Sequence, residues 1–165
     1  MSKKKRPQVQ TSKQKQPQKQ KTRPVAPEEK KSSRDFFFVA AVIVATIIVY
    51  AGSLKNGWTN WDDEGYVLSN DLVKSIDLKA IFSSFVMGNY HPITVLFQAI
   101  EFHFFGKDAS GFHTVSLLLH MINSLLLFYF VRVFFKNSIA AFIAALLFAI
   151  HPLHVESVSW VAAQK

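Results

Sequence analysis

Three consecutive acids, Asp62, Asp63 and Glu64, lie just beyond an apolar run, residues 36–54, that carries no charge over 19 residues. A run of that length crosses a hydrocarbon core of about 30 Å. Acids at its mouth must sit in water or in a polar cavity, because lipid cannot hold them. Crowded carboxylates keep protons more readily than isolated ones, so one of the three could act as a base towards an incoming hydroxyl. Asp62 and Asp63 could also hold a divalent cation on a phosphate. An enzyme acting on a lipid-carried substrate would keep its base in such a place. The same residues fit a solvated loop that caps the next helix, with Trp58 and Trp61 as interfacial anchors.

A second reactive stretch is His151-Pro152-Leu153-His154-Val155-Glu156. His151 and His154 share a face if the helix is continuous, but Glu156 then falls roughly 140° round from His151. The motif therefore does not make a three-ligand metal site by itself. If the helix restarts at Pro152, His151 becomes its cap and these angles change. The imidazoles are read as phosphate contacts, with a divalent cation as the other role. His91, before Pro92, could reach an anionic headgroup. His113, His120 and Asn123 lie on one side of the second apolar run and read as helix–helix hydrogen bonders. Glu101 and His103 read as the wet face of a short helix.

Positioning these groups requires an all-α integral membrane bundle of about three transmembrane helices, over residues 36–54, 112–131 and 138–155. No charge falls between Asp108 and Arg132 or between Asn137 and Val155, and the turn Lys136-Asn137-Ser138 joins the last two spans. Residues 1–34 hold twelve Lys and Arg against two Glu, which keeps them cytoplasmic and sends residues 55–111 across as an extracytoplasmic loop. Arg132 and Lys136 mark the second connection as cytoplasmic too, so both reactive stretches face the same outer side. Within the loop, residues 71–86 predict one helix, with Asp77 or Ser75 near its start and Leu72, Ile76, Ile81 and Phe85 as apolar teeth. Pro92 predicts a helix start and Gly106 its stop, with Ile93, Leu96, Phe97, Ile100 and Phe104 on one stripe lying in the interface or dipping into the bundle.

The net charge of +8 belongs to the tail. The remaining 131 residues hold seven Lys and Arg against nine Asp and Glu. The tail lacks aromatic residues and is expected to be disordered, touching anionic lipid rather than nucleic acid. The apolar run is too long for a secretory h-region, and no small-x-small cleavage site follows it. The absence of cysteine excludes thiolate metal sites and a Cys nucleophile.

Four stretches in this order carry a family resemblance. They are Asp62-Asp63-Glu64, Tyr90-His91-Pro92-Ile93-Thr94-Val95-Leu96, Gly111-Phe112-His113 through His120-Met121-Ile122-Asn123, and Phe148-Ala149-Ile150-His151-Pro152-Leu153-His154-Val155-Glu156 through Trp160-Val161. Together they resemble the amino-terminal part of the polytopic O-mannosyltransferase-like proteins with tetratricopeptide repeats, of the GT-C superfamily. The resemblance covers about residues 36–165. It implies transfer of a sugar from a polyprenyl-phosphate donor to a hydroxyl acceptor, a protein Ser/Thr or a cell-surface glycan, outside the membrane and with inversion at the anomeric carbon. It maps an acid–base pair onto Asp63 and Glu64, with Asp62 an additional acid. Donor or acceptor contacts fall to His91, His151, His154 and Glu156. Many relatives carry Arg where this chain has His91, so a permanent positive charge is missing there. Relatives continue for more spans and helical repeats, so the chain reads as a fragment completed by a carboxy-terminal half or a partner subunit, in a plasma or bacterial inner membrane. The other readings are a non-catalytic membrane subunit and a plain three-span anchor.

Overall fold

The computed structural model describes residues 33–164; the basic tail, apart from its last two residues, lies outside them. Regular structure among the described residues is helical, except for one antiparallel bridge between Val86 and Asn89. Helix α1 (Ser33–Tyr50) runs on through a 3-10 turn to Lys55. Four helices follow: α2 (Asp71–Ser75), α3 (Leu78–Ser83), α4 (Pro92–Phe105) and α5 (Ala109–Phe135). A two-residue turn leads to α6 (Ser138–Ala149), and α7 (Val155–Ser159) follows a short 3-10 turn.

Two helices, Arg34–Lys55 and Ala109–Phe135, are long and apolar enough to cross a membrane. The third passage expected over 138–155 is broken: α6 ends at Ala149, and Ser138–Ala149 meets Pro152–Ser159 at 47°. Pro152 lacks the N–H that would continue the ladder, and His151 caps the new turn by accepting from Leu153 N at 3.2 Å.

The bundle is packed for lipid rather than water. Phe37 and Ile48 on α1, Phe130 and Val133 on α5, and Ile143 on α6 point outward. The interior holds small and hydroxylated side chains. Ala141, Ala145 and Ala149 repeat every four residues and pack with Val42 and Phe128, while Thr46 and Ser124 return their hydroxyls to carbonyls one turn back at 2.8 Å. Small residues let backbones approach where lipid removes the hydrophobic drive between helices. Phe38 stacks on Phe142 at 4.6 Å, and Asp35 accepts from Arg132 Nε at 3.1 Å, tying the start of α1 to the end of α5. Lys136, in the left-handed region at φ 52, ends α5; Asn137 Oδ1 then accepts from Ile139 N and Ala140 N to start α6.

The segment between α1 and α5 packs Tyr66, Val67, Val73, Ile81, Val95 and Ala99 into one core with Phe112 of α5 and with Val161 and Ala162. The single helix expected over 71–86 is two. Asn70 caps α2 and Asp77 caps α3, with Ile76 turned left-handed between them, so that Val73 and Ile81 both point inward. Two good caps seven residues apart outweigh the periodicity that suggested continuity. Met87 and Gly88, both at positive φ, make the tight turn under the Val86–Asn89 bridge. Helix α4 starts at Pro92 and stops at Gly106 as its sequence implies. Of the two placements expected for its stripe, the outward one is found, at Ile93, Ile100 and Phe104. Val95, Gln98, Ala99 and Glu101 form the inner face, which corrects the placement of Glu101 on a wet surface.

Ala145→Leu should overpack the α6 seam and cost about 1–3 kcal/mol. The measurement is a lowered melting temperature in detergent, with the outward-facing Ile143→Leu unchanged as the internal reference. Equal melting of the two variants would contradict this packing.

Candidate functional site

The acidic stretch divides into three environments. Asp63 is only 1% exposed, and both its oxygens are engaged. Oδ2 accepts from the backbone N and the hydroxyl of Thr59, each at 2.8 Å, and Oδ1 accepts from Ala162 N at 2.8 Å across 99 residues of sequence. Charge-assisted bonds of this kind are about twice as strong as neutral ones, and here they satisfy a carboxylate removed from water. Glu64 opens a π turn, Glu64–Leu68, and is exposed; its Oε1 accepts from Ser69 Oγ. Asp62 is half-buried between the exposed Trp61 and the sealed Asp63.

The elements around this loop fix it from several sides. Trp58 Nε1 donates to Lys107 O at 2.9 Å, and its ring meets Phe112 edge-on at 4.9 Å, so Trp58 is a packing residue rather than a lipid anchor. Tyr66 and Val67, just past the acids, share a core with Val161 and Ala162. His113, wholly buried on α5, lies within electrostatic reach of Asp63.

The histidine stretch sits at the same end of the bundle. Tyr50 Oη, at the end of α1, donates to His151 O at 3.2 Å, and Asn56 Nδ2 to Ser159 O at 3.5 Å. His151 is exposed, with Nδ1 committed to Leu153 N. His154 packs against Phe148, 4.4 Å between ring centroids, and His120, 5.1 Å. His120 Nε2 lies 2.9 Å from Ala149 O, the helix–helix bond expected of it, and satisfies a carbonyl at the α6 break. Glu156 is exposed on α7, and His91 stands half-buried before Pro92 as the residue preceding α4. The structure thus unites Asp63 with the segment just past Glu156, and His151 with His154. Among the described residues no group of three or more His, Asp and Glu could hold a metal ion.

Two polar residues that sequence reasoning did not bring together meet here. Glu101, 3% exposed, accepts at Oε1 from Gln164 Nε2 at 3.3 Å, and Gln164 Nε2 also donates to Ser116 Oγ at 2.7 Å. Burial pushes the Glu101 carboxyl up to about 7, and the Gln164 bond pulls it only partly back. The signal in the sequence was the pair Gln98 and Glu101 on an otherwise apolar helix, three residues apart and so on one face.

Below the ordinary carboxyl range Glu101 is protonated whether folded or unfolded. As pH rises from about 4.5 to about 7 the unfolded chain ionises first, so stability falls through that window, by up to about 3 kcal/mol. Melting in detergent should drop from pH 5 to pH 8, and Glu101→Gln should flatten the slope. An unchanged slope in the variant would assign the effect elsewhere.

No family model matches the sequence, and no solved structure matches it. Curated proteins do. The chain is 32% identical over 127 residues to protein O-mannosyl-transferase TMTC1 of Mus musculus, covering 70% of this chain and 14% of that one. It is 29% identical over 145 residues to protein O-mannosyl-transferase TMTC3 of the same species, covering 81% and 16%. Protein O-mannosyl-transferase Tmtc1 of Drosophila melanogaster is 25% identical over 139 residues, covering 78% and 16%. The chain therefore spans less than a fifth of the length of these relatives.

Proposed function

Given that the chain is an integral membrane homologue of the protein O-mannosyl-transferases, we propose that it supplies the acid-bearing membrane portion of a glycosyltransferase using a polyprenyl-phosphate sugar. Because it spans 14% to 16% of those relatives, turnover is proposed for a protein of their length. The observation that carries the reading is the union of the two reactive stretches at one end of the bundle, with Asp63 bonded to Ala162 just beyond the histidines.

In this reading Glu64, open to water, takes the proton of an acceptor hydroxyl while that oxygen attacks the anomeric carbon. The bond from that carbon to the donor phosphate breaks, and the polyprenyl phosphate leaves with both electrons. Asp62 is the neighbouring acid, and Asp63 holds the loop in register. Attack opposite the leaving group inverts the anomeric carbon. The leaving phosphate is already a good leaving group, so it needs charge neutralisation more than protonation. His91, His151, His154 and Glu156 are assigned to donor or acceptor contacts. Residues 55–111 are placed outside the membrane and the amino terminus in the cytoplasm, with the outward stripe of α4 resting in the interfacial lipid.

Orientation is read directly, since the chain has no native thiol. In intact cells Asn60→Cys should react with a membrane-impermeant thiol reagent, and Gln10→Cys should not. Reversed labelling would put the acids on the wrong side.

For the chemistry, this chain replaces the matching 127-residue stretch of the mouse TMTC1 relative. Mannosyl transfer by that chimera should fall about 100-fold or more with Glu64→Gln, as loss of a general base requires. Asp63→Asn should lower transfer together with thermal stability, because it breaks one side of the bond network. Full activity in Glu64→Gln would move the base to Asp62 or Asp63.

A further inference from the structure

Beside the helix break, between α5, α7 and the last residues of the chain, lies a cavity of about 320 Å³. Its polar lining is Ser116, His120, Asn123, His154, Ser157 and Gln164. It contains no Lys, Arg, Asp or Glu, so a phosphate would find no counter-charge beyond the imidazoles of His120 and His154, and those two alone do not complete a metal site. A lipid tail fits poorly, since it would leave the Asn123 amide and the His154 imidazole, which have no hydrogen bond within the described residues, facing hydrocarbon. The remaining wall is apolar: Leu119, Phe148, Val158 and Ala163. Neutral donors and acceptors beside apolar side chains suit a ligand that carries hydroxyls on its edge and C–H groups on its faces. The volume sits at the low end of small-molecule sites, which run from about 300 to 1,000 Å³, so one ring fits and a chain of rings does not.

The wall is also held in position. Gln164 Nε2 faces three acceptors, Ser116 Oγ at 2.7 Å, Glu101 Oε1 at 3.3 Å and Phe112 O at 3.5 Å, which fixes the orientation of its amide. Ser116 donates in turn to Phe112 O at 3.1 Å. His120 is pinned by Ala149 O, and His154 lies against Phe148 and His120. Ser157 donates to His154 O at 3.3 Å, and Asn123 is exposed at the rim with its amide free to turn.

We propose that this cavity binds a single neutral pyranose ring. The inference rests on the glycosyltransferase reading for its choice of a sugar among hydroxylated rings, and it deepens that reading by giving the sugar a place apart from the acids. The ring could arrive on the lipid donor or on an already glycosylated acceptor; the chemistry recognised is the same.

The test is thiol protection in the full chain, reconstituted in lipid nanodiscs. Ser157→Cys places a reporter in the cavity wall, and Asn60→Cys serves as a distant reference. Octyl α-D-mannopyranoside represents the lipid-borne sugar, a mannosyl-threonine peptide the acceptor-borne one, and octyl glycerol the tail without a ring. One of the two sugars should slow modification at position 157 by about five-fold or more at saturation, leaving position 60 unaffected, and the one that protects names the source. Asn123→Leu in the Ser157→Cys background should raise the concentration needed by about ten-fold. Protection by octyl glycerol equal to that by the mannoside, protection by neither sugar, or an unchanged requirement in Asn123→Leu would overturn the proposal. The two readings fail separately. A chimera that transfers mannose but shows no protection loses the cavity and keeps the enzyme, and protection without transfer does the reverse.

Discussion

The bond from Ala162 N to Asp63 Oδ1 holds the acidic loop to the far end of the described chain. A carboxylate that is 1% exposed is tolerable only when donors surround it, and Thr59 and Ala162 provide three. Because Tyr66 and Val67 sit three and four residues beyond Asp63 and share a core with Val161 and Ala162, this bond also sets how the two halves of that core meet. Glu64 is held out to water by the same arrangement that draws Asp63 in. Adjacent residues of similar chemistry are thereby given different surroundings, one sealed within hydrogen bonds and one open to water.

The bundle beneath that loop follows from its solvent. Where lipid surrounds a helix, many apolar residues face outward, and the interior here sets alanine, serine and threonine beside Val42 and Phe128. Hydroxyls such as those of Thr46 and Ser124 are silenced by bonding within their own helix. Backbone groups released at the α6 break are met by side chains, His120 at Ala149 O and Tyr50 at His151 O. A break in a membrane-crossing segment is sustainable only with such partners, and it packs His154 against Phe148 and His120 while His151 stays exposed.

Local signals were readable in the sequence wherever one residue decides. Pro92 and Gly106 delimit α4, Asn137 starts α6, and Pro152 stops the helix before it. Periodicity located apolar faces but decided neither what covers them nor where a helix is interrupted. The stripe of α4 was readable, but whether it faces a core or a lipid surface depends on what surrounds it, and the helix exposes Ile93 and Phe104 while burying Gln98 and Glu101. Residues 71–86 carried enough apolar teeth for one helix, and the caps at Asn70 and Asp77 decided otherwise. In the candidate site, the identity of the three acids was plain and their different surroundings were not. The burial of Asp63 depends on Ala162, 99 residues away, and no local pattern contains it.

The same long-range bond has a temporal side. A chain emerging from a ribosome at about 5–20 residues per second presents Asp63 roughly 5–20 s before Ala162 exists to bond it. Through that interval two further helices must be threaded while the nascent loop stays open, its carboxylate hydrated and its core lacking Val161 and Ala162. Closure of the acidic loop therefore waits on synthesis of Ala162, and a chaperone or quality-control factor scanning the nascent protein before then would meet that loop ajar.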